Sequence, residues 1–588
     1  MEYFFGFVLL LGVLVFIHEL GHFLVAKYFG VRVETFSIGM GKKIYSFRRG
    51  ETEYVLSLFP LGGYVKLTGQ DPREEVPTEL NDRSFRTKPL YQRAAVVLAG
   101  PLANALLAIG VFFFLYIFGV PSAGPVLERV LPGSPTEKAG LQSGDKVVRI
   151  KNTDNESFFV RDLSDLEKVV TESPDRDLVI TVERKDPITS KIQIVDAVVK
   201  TVNGEERDST LGVIQKRSIL PGVERNALGP IVHSQADSWG EKKGLPSFFW
   251  ISKIGLGAPD SKTLAHEVTN FENLSLLWAH YTQLALDQNQ SFFIQGQKIE
   301  FKDDKSNETK NPNATEKEET LSFQFSVDKD FPRTLDAANL LSSETVIIGV
   351  SEKSPAEKMG LQVGDRVLSL NSEPFQSFSW FKNRIQEISK DPNATVEITW
   401  LRSGRTLSGQ VTPHQVEAQD PLTEVKKNQF QVGAAFLALP APPTMVVVKA
   451  EGLFDALGLG WSRTVRLTGS MLSSFYHLAV GDISPKTLGG PLLIAKVSGE
   501  SIKQGPTAFF KMMAFISLNL FILNLFPIPV LDGGHLVLYL VEAIRRKPLS
   551  IKIIEMWTTA GFFLLMGLVA VVFFNDLSRL GLFRFFKS

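Results

Sequence analysis

The chain has 588 residues, with 63 Lys/Arg balanced by 63 Asp/Glu, and no cysteine. That length exceeds what one hydrophobic core supports, so several domains are expected. Zero net charge argues against a nucleic-acid partner, and the lack of cysteine excludes disulfides, thiolate zinc sites, iron–sulfur clusters and cysteine catalysis.

Phenylalanine outnumbers tyrosine 44 to 10, which points to lipid contact, and the apolar residues fall in four runs. Residues 3–29 are apolar except for His18, Glu19, His22 and Lys27. A cleaved signal peptide fits poorly, because the start is not basic and no small-residue cleavage site follows. Residues 94–120 carry no charge, nor do residues 512–531 or 557–574. A helix of about 20 apolar residues crosses the hydrocarbon core. Four transmembrane helices are therefore expected, at 1–29, 94–120, 508–535 and 557–575. Residues 27–93 hold 12 Lys/Arg against 8 Asp/Glu, and Arg545, Arg546, Lys547 and Lys552 crowd the loop 536–556. The positive-inside rule makes both loops cytoplasmic. Both termini, with the tail 576–588, and the long stretch 121–507 then lie outside the cytoplasm.

The exported stretch repeats itself. Ser134 to Asp145 returns as Ser354 to Asp365 at a constant offset of 220 residues, Gly140, Leu141, Gly144 and Asp145 matching Gly360, Leu361, Gly364 and Asp365. Each copy precedes a strand-like run (146–150, 366–370) and then a helical stretch (163–170, 380–388). The pattern resembles bacterial PDZ domains, placing such units at 121–220 and 342–415. The resemblance implies a groove where an extended peptide adds as a strand to a sheet edge. A fainter copy begins at Gly229, with residues 248–264 in place of the Gly-Asp step, and suggests a divergent PDZ-like unit in the insert 221–341. Residues 303–320 are polar and expected to be disordered. Residues 416–507 read as a linker with a helix at 454–480, either amphipathic on the outer membrane face or, equally, an ordinary packed helix.

The sharpest signal is His18-Glu19-Leu20-Gly21-His22. Histidines four apart share one helical face. Two imidazoles can then chelate one Zn2+ while Glu19 reaches the water that the metal activates. With only 8 histidines in the chain, a chance match is improbable. Ionisable groups inside a span are costly and usually functional. Zinc asks for a third protein ligand. Asp532 ends the run that starts at Asn524, where Pro527 and Pro529 cannot continue a regular helix and could aim its carboxylate inward. Taken alone, such an aspartate is more often a cap or turn residue.

His18–His22 and the run from Asn524 to Gly533 together resemble the site-2 protease family of intramembrane zinc metalloproteases. Further matches are residues 59–65, 99–104, 490–495 and 575–580. The resemblance implies a multi-pass membrane α-helical protease core: four transmembrane helices, a membrane-associated β-hairpin and inserted extracytoplasmic α+β PDZ domains. It implies His18, His22 and Asp532 as ligands of one Zn2+ per chain, Glu19 as the catalytic base and Asn524 as a substrate-positioning residue. It places Leu61, Gly62, Gly63, Tyr64, Val65 and Lys66 in the hairpin of the loop 30–93, where substrate is engaged, and leaves His535 outside the ligand set. It also implies hydrolysis within transmembrane segments of single-span proteins in the bacterial inner membrane. Those substrates would already be shortened by an extracytoplasmic cut, with the PDZ units as a size filter and an anti-sigma factor or remnant signal peptide as substrate class. The insert is longer than the one or two PDZ units usual in the family. Two other functions fit the sequence less well. A PDZ scaffold without catalysis leaves His18, Glu19, His22 and Asp532 unexplained. A metal transporter tends to repeat its ligand-bearing helices in two halves, a symmetry not visible here.

Overall fold

The computed structural model describes residues 2–579, apart from 72, 74, 187, 208–213, 225–226, 235–237, 260–264, 300–319, 392–393 and 420–425. The expected disordered stretch 303–320 lies outside the described residues but for Thr320, as does the tail beyond Arg579. The chain opens with helix α1 (Glu2–Tyr28), strands β1 (Val33–Arg49) and β2 (Thr52–Leu67), and helix α2 (Leu90–Phe118). After the insert come α6 (Leu453–Val480), α7 (Pro491–Lys503), α8 (Pro506–Leu525), α9 (Asp532–Arg545) and α10 (Ile551–Arg579), with α3 to α5 in the insert as given below. Among the described residues, α1, α2, α8 and α10 are long and apolar enough to cross a membrane. Leu10 and Leu14 of α1 pack with Phe509, Met513 and Ile516 of α8. Ala108 and Phe112 of α2 pack with Ala514 and Leu518 of α8.

The two strands β1 and β2 fold back on themselves. Residues 35–38 pair both with 53–56 and, antiparallel, with 63–66, while residues 43–49 pair with 52–57. The stretch 63–66 is thus held along one edge, by 35–38.

The insert leaves and returns through a two-stranded neck in which Val120–Ala123 lies antiparallel to Met445–Val448. Between them stand three units with one shared strand order. In the first it runs Ser157–Phe159, Lys146–Lys151, Asp177–Lys185, Ile192–Lys200, with helix α3 (Leu163–Thr171). In the second it is Ala265–Glu267, Phe248–Leu256, Ser291–Lys298, Leu321–Ser326, with α4 (Phe271–Gln288). In the third it is Glu373–Pro374, Arg366–Leu370, Val396–Arg402, Arg405–Val411, with α5 (Phe378–Ile388). Each unit has a short helical turn capped by a serine: Ser134, Ser238 and Ser354 accept the N–H of Glu137, Glu241 and Glu357. A serine three residues ahead of a glutamate is a helix-start signal. The second unit's core is aromatic, with Phe249, Trp278, Tyr281, Phe292, Phe325 and Phe331 packed together. Six phenylalanines outside the apolar runs, Phe249, Phe271, Phe292, Phe323, Phe325 and Phe331, therefore serve this core rather than lipid.

One guanidinium joins the three units. Arg129 meets Glu224 of the first unit at 3.2 Å, Glu272 of α4 at 3.4 Å, and Glu344, ahead of the third unit, at 2.5 Å. Ser377, the cap of α5, donates to Glu224 at 2.5 Å, and the Phe378 N–H donates to Glu344 at 3.2 Å.

Three expectations are corrected. The third apolar run is not one helix over 508–535: α8 stops at Leu525 and α9 starts at Asp532. The cause lies in Pro527 and Pro529, which lack an N–H, and in Val530, which sits at φ +81°. The loop 536–556 is mostly helical, because α9 runs on to Arg545 and α10 begins at Ile551, ahead of its uncharged segment. The linker 416–507 holds two helices rather than one. The amphipathic one, α6, packs against α2. Gly460 abuts the backbone of Ile109 and Phe113, while Phe454, Leu457, Trp461, Val465 and Tyr476 stay exposed. The second, α7, is capped from α10: Asp576 accepts the N–H groups of Gly490 (2.9 Å), Leu492 (3.0 Å) and Leu493 (3.3 Å). Residues 490–495 and 575–580, seen in the sequence as separate motifs, thus share one contact.

Candidate metal centre

His18 and His22 stand one turn apart on α1, their rings edge to face at 4.8 Å. The Nε2 atoms lie 3.2 Å apart. Asp532 Oδ2 is 3.2 Å from His18 Nε2 and 3.6 Å from His22 Nε2. Ligands of a tetrahedral zinc at about 2.0–2.1 Å are separated by about 3.3–3.4 Å, so these three atoms have the spacing of three corners around one ion. Among the described residues no other His/Cys/Asp/Glu group of three converges in this way. The side chains keep 13–19% of their surface exposed, so the centre is sheltered yet reachable.

Helix α2 braces both rings. His22 Nδ1 donates to the Val96 carbonyl at 2.8 Å, which leaves Nε2 without a proton and able to ligate a metal. One turn along α2, Gly100 gives the imidazole room, since a Cβ there would strike its ring. Gly21 likewise lets α1 approach the Ala99 backbone. One further turn on, Asn104 meets His18 Nδ1 at 3.3 Å.

Asp532 comes from the far end of the chain. A turn over 528–531, closed by Leu531 N–H to Ile528 O at 3.2 Å, leads into α9. Gly533 and Gly534 fit against the carbonyls of Phe526 and Ile528, where side chains would clash. The aspartate is thus both a first-turn acid of its helix and a member of the triad. Arg93 anchors α9 to the start of α2, reaching Glu542 at 2.6 and 3.3 Å and lying 5.2 Å from the Tyr539 ring.

Glu19 faces the hairpin. A Cβ built on Gly63 would lie 2.9 Å from Glu19 Cγ, and the Val65 N–H donates to the Glu19 carboxylate. Leu61, Gly62, Gly63, Tyr64, Val65 and Lys66 all belong to β2, with Lys66 paired to Glu34 at 2.7 Å. Asn524 lies in the last turn of α8. His535 follows Asp532 by three residues in α9 and is outside the convergent triad.

The structure does not bring the repeat residues to this centre. Asp145 and Asp365 are buried latches: each holds an arginine at 2.7 Å, Arg184 and Arg402 respectively. Those arginines also reach the carbonyls of Gly140 and Gly360. Gly140, Gly144, Gly360 and Gly364 adopt φ between +88° and +93°, while Leu141 and Leu361 enter the unit cores. Sequence reasoning missed both arginines. They recur as Arg184 and Arg402, at nearly the offset of the motif itself.

Comparison with known proteins decides the family. The sequence pattern of Peptidase family M50 matches residues 6–568. The chain belongs to that family. Proteins similar to it along their length include Protease RseP of Yersinia pestis, 29% identical with 98% of both chains covered. The Regulator of sigma-E protease RseP of Escherichia coli is 28% identical at the same coverage. A Vibrio cholerae protein, provisionally named a zinc metalloprotease, is 29% identical, again over 98% of each chain. The PDZ domain of an SdrC-like protein from Listeria monocytogenes has 16% identity and a TM-score of 0.14, covering 16% of this chain and 90% of its own. This chain is accordingly a metalloprotease, and its four apolar helices suit a multi-pass membrane protein.

Proposed function

We propose that the chain cuts peptide bonds inside the transmembrane segments of single-span membrane proteins, with one Zn2+ held by His18, His22 and Asp532. The convergence of three ligand atoms at zinc spacing, two from the membrane-length helix α1 and one from the start of α9, beside Glu19, carries this reading. When bound, zinc supplies Lewis-acid polarisation of the scissile carbonyl and lowers the pKa of the attacking water. Glu19 takes the proton from that water and later hands it to the leaving amine. A helical substrate hides its peptide groups in internal hydrogen bonds. The open edge of residues 63–66 offers an alternative: the unwound substrate pairs there as a strand, which sets its backbone beside Glu19. Asn524 helps hold it.

In this reading the hairpin side is cytoplasmic, and the three units and both termini lie outside, in a bacterial inner membrane. The first and third units are PDZ domains by motif, and the shared strand order supports the second as a divergent member. Hung on the neck above the core, they admit substrates already shortened by an earlier extracytoplasmic cut. The relatives named as regulators of sigma-E favour an anti-sigma factor as substrate, with remnant signal peptides as a second class. A single-span reporter reconstituted with the protein in liposomes tests the chemistry. Cleavage should stop with a zinc chelator and return with added Zn2+; cleavage indifferent to the chelator would contradict the reading.

A further inference from the structure

The second α1–α2 contact at the centre is less obvious than the first. Val96, Gly100 and Asn104 are spaced by four along α2, and His18 and His22 by four along α1. The two helices present matched rows, so that each imidazole has a backing group on α2. For His22 that group is the Val96 carbonyl, which can only accept, and so fixes the proton on Nδ1. For His18 it is the Asn104 amide, 3.3 Å from Nδ1.

Asn104 is fully buried, with 0% of its surface exposed. Its side chain contacts His18 through one amide atom, while the other, Oδ1 as placed, is buried without a hydrogen-bond partner. Leaving a buried polar atom unsatisfied costs about 1–3 kcal/mol. A leucine of similar volume would avoid that cost, so packing alone does not account for an asparagine here. The amide serves the histidine. A ring nitrogen that binds metal carries no hydrogen, so the proton of a ligating His18 sits on Nδ1 and needs an acceptor. The two ends of an amide are interchangeable by a flip of the side chain, and the end required at His18 is the oxygen.

We propose that Asn104 is a positioning residue of the metal centre: its side-chain carbonyl accepts the His18 Nδ1–H and thereby presents Nε2 to the ion. The inference rests on His18 being a metal ligand. It makes α2 the common brace of both histidines, one through backbone and one through side chain.

The test uses the full-length protein in detergent, stripped of metal, with Zn2+ affinity measured by competition against a chromogenic chelator. The melting temperature of the metal-free protein is followed in parallel. Asn104→Leu should weaken Zn2+ binding by about ten- to a hundredfold, with no loss of metal-free melting temperature. Asn104→Asp, which keeps an acceptor facing Nδ1–H, should bind Zn2+ at least as tightly as the wild type. Wild-type affinity in Asn104→Leu would overturn the proposal. So would an Asn104→Asp variant that binds more weakly than wild type, and this second variant decides the matter if Asn104→Leu does not fold. A wild-type protein that takes up no Zn2+ would instead overturn the triad itself, a result distinct from either variant outcome.

Discussion

At the scale of residues, the triad depends on how closely α1 and α2 approach. Gly100 lies where a Cβ would strike the His22 ring, whereas Gly12 of α1 has open space around it. Gly100→Ala should therefore lower Zn2+ occupancy and reporter cleavage together, by about ten- to a hundredfold. Gly12→Ala should leave both unchanged, and metal analysis beside a cleavage assay checks the pair. The histidines and Glu19 were legible because their relation is local, one turn of one helix. Asp532 was legible through the motif around it, not through geometry, since the contact joins opposite ends of the chain. Val96 and Gly100 gave no signal as supports for the rings, because only the packing of two helices assigns them that role. The repeated aspartates were legible as a motif, but their work as latches was not: Arg184 lies 39 residues beyond Asp145, on the strand Asp177–Lys185.

At the scale of elements, apolar runs report which residues meet lipid and say little about where a helix is continuous. That is why α8 and α9 read as one span and why the start of α10, with Lys552 and Glu555, was missed. The capping of α7 by Asp576 was equally hidden, since it joins residues 490–493 to the end of a different helix. Asp576→Ala removes acceptors for three N–H groups, and losing a cap costs about 1–2 kcal/mol. Amide hydrogen exchange at residues 490–493 should quicken accordingly, by about five- to thirtyfold if opening is local. Unchanged exchange would show that the cap carries no weight. The Arg129 junction makes a pH prediction. Burial lifts the carboxyls of Glu224 and Glu272 above their ordinary range, against the opposing pull of Arg129. Glu344 and Ser377 complete the surroundings. Because the folded state holds these protons more tightly than the unfolded chain does, the stabilisation is present below the ordinary carboxylate range. It is lost as pH rises through the raised values. Proteolysis between the units, followed in the intact protein from mildly acidic to neutral pH, should quicken with rising pH. A rate that falls with rising pH would contradict this.

At the scale of the whole molecule, the helices that hold the candidate metal centre join a three-unit insert through the two-stranded neck and through two ion pairs from the first unit to α6, Arg161–Asp455 and Arg466–Asp165, both at 2.9 Å. The duplication at constant offset made the first and third units legible. The second was fainter because its Gly-Asp step is absent and its core is built from aromatic rings. Ala123 and Met445 are partners at the tip of the neck, so residues 124–444 can be replaced by an Asn-Gly turn suited to an antiparallel pair. If the insert is a size filter, the shortened protein should cleave reporters that still carry their full extracytoplasmic domain; unchanged selectivity would remove that role. The central claim is that Glu19 moves the proton in a reaction at a metal held by its neighbours. The most direct measurement is Glu19→Gln in the otherwise intact protein, with bound zinc and reporter cleavage read from the same preparation. The account predicts one Zn2+ per chain, as in the wild type, with cleavage slowed by about 10²–10⁴-fold. Cleavage at the wild-type rate by the zinc-loaded variant would contradict it.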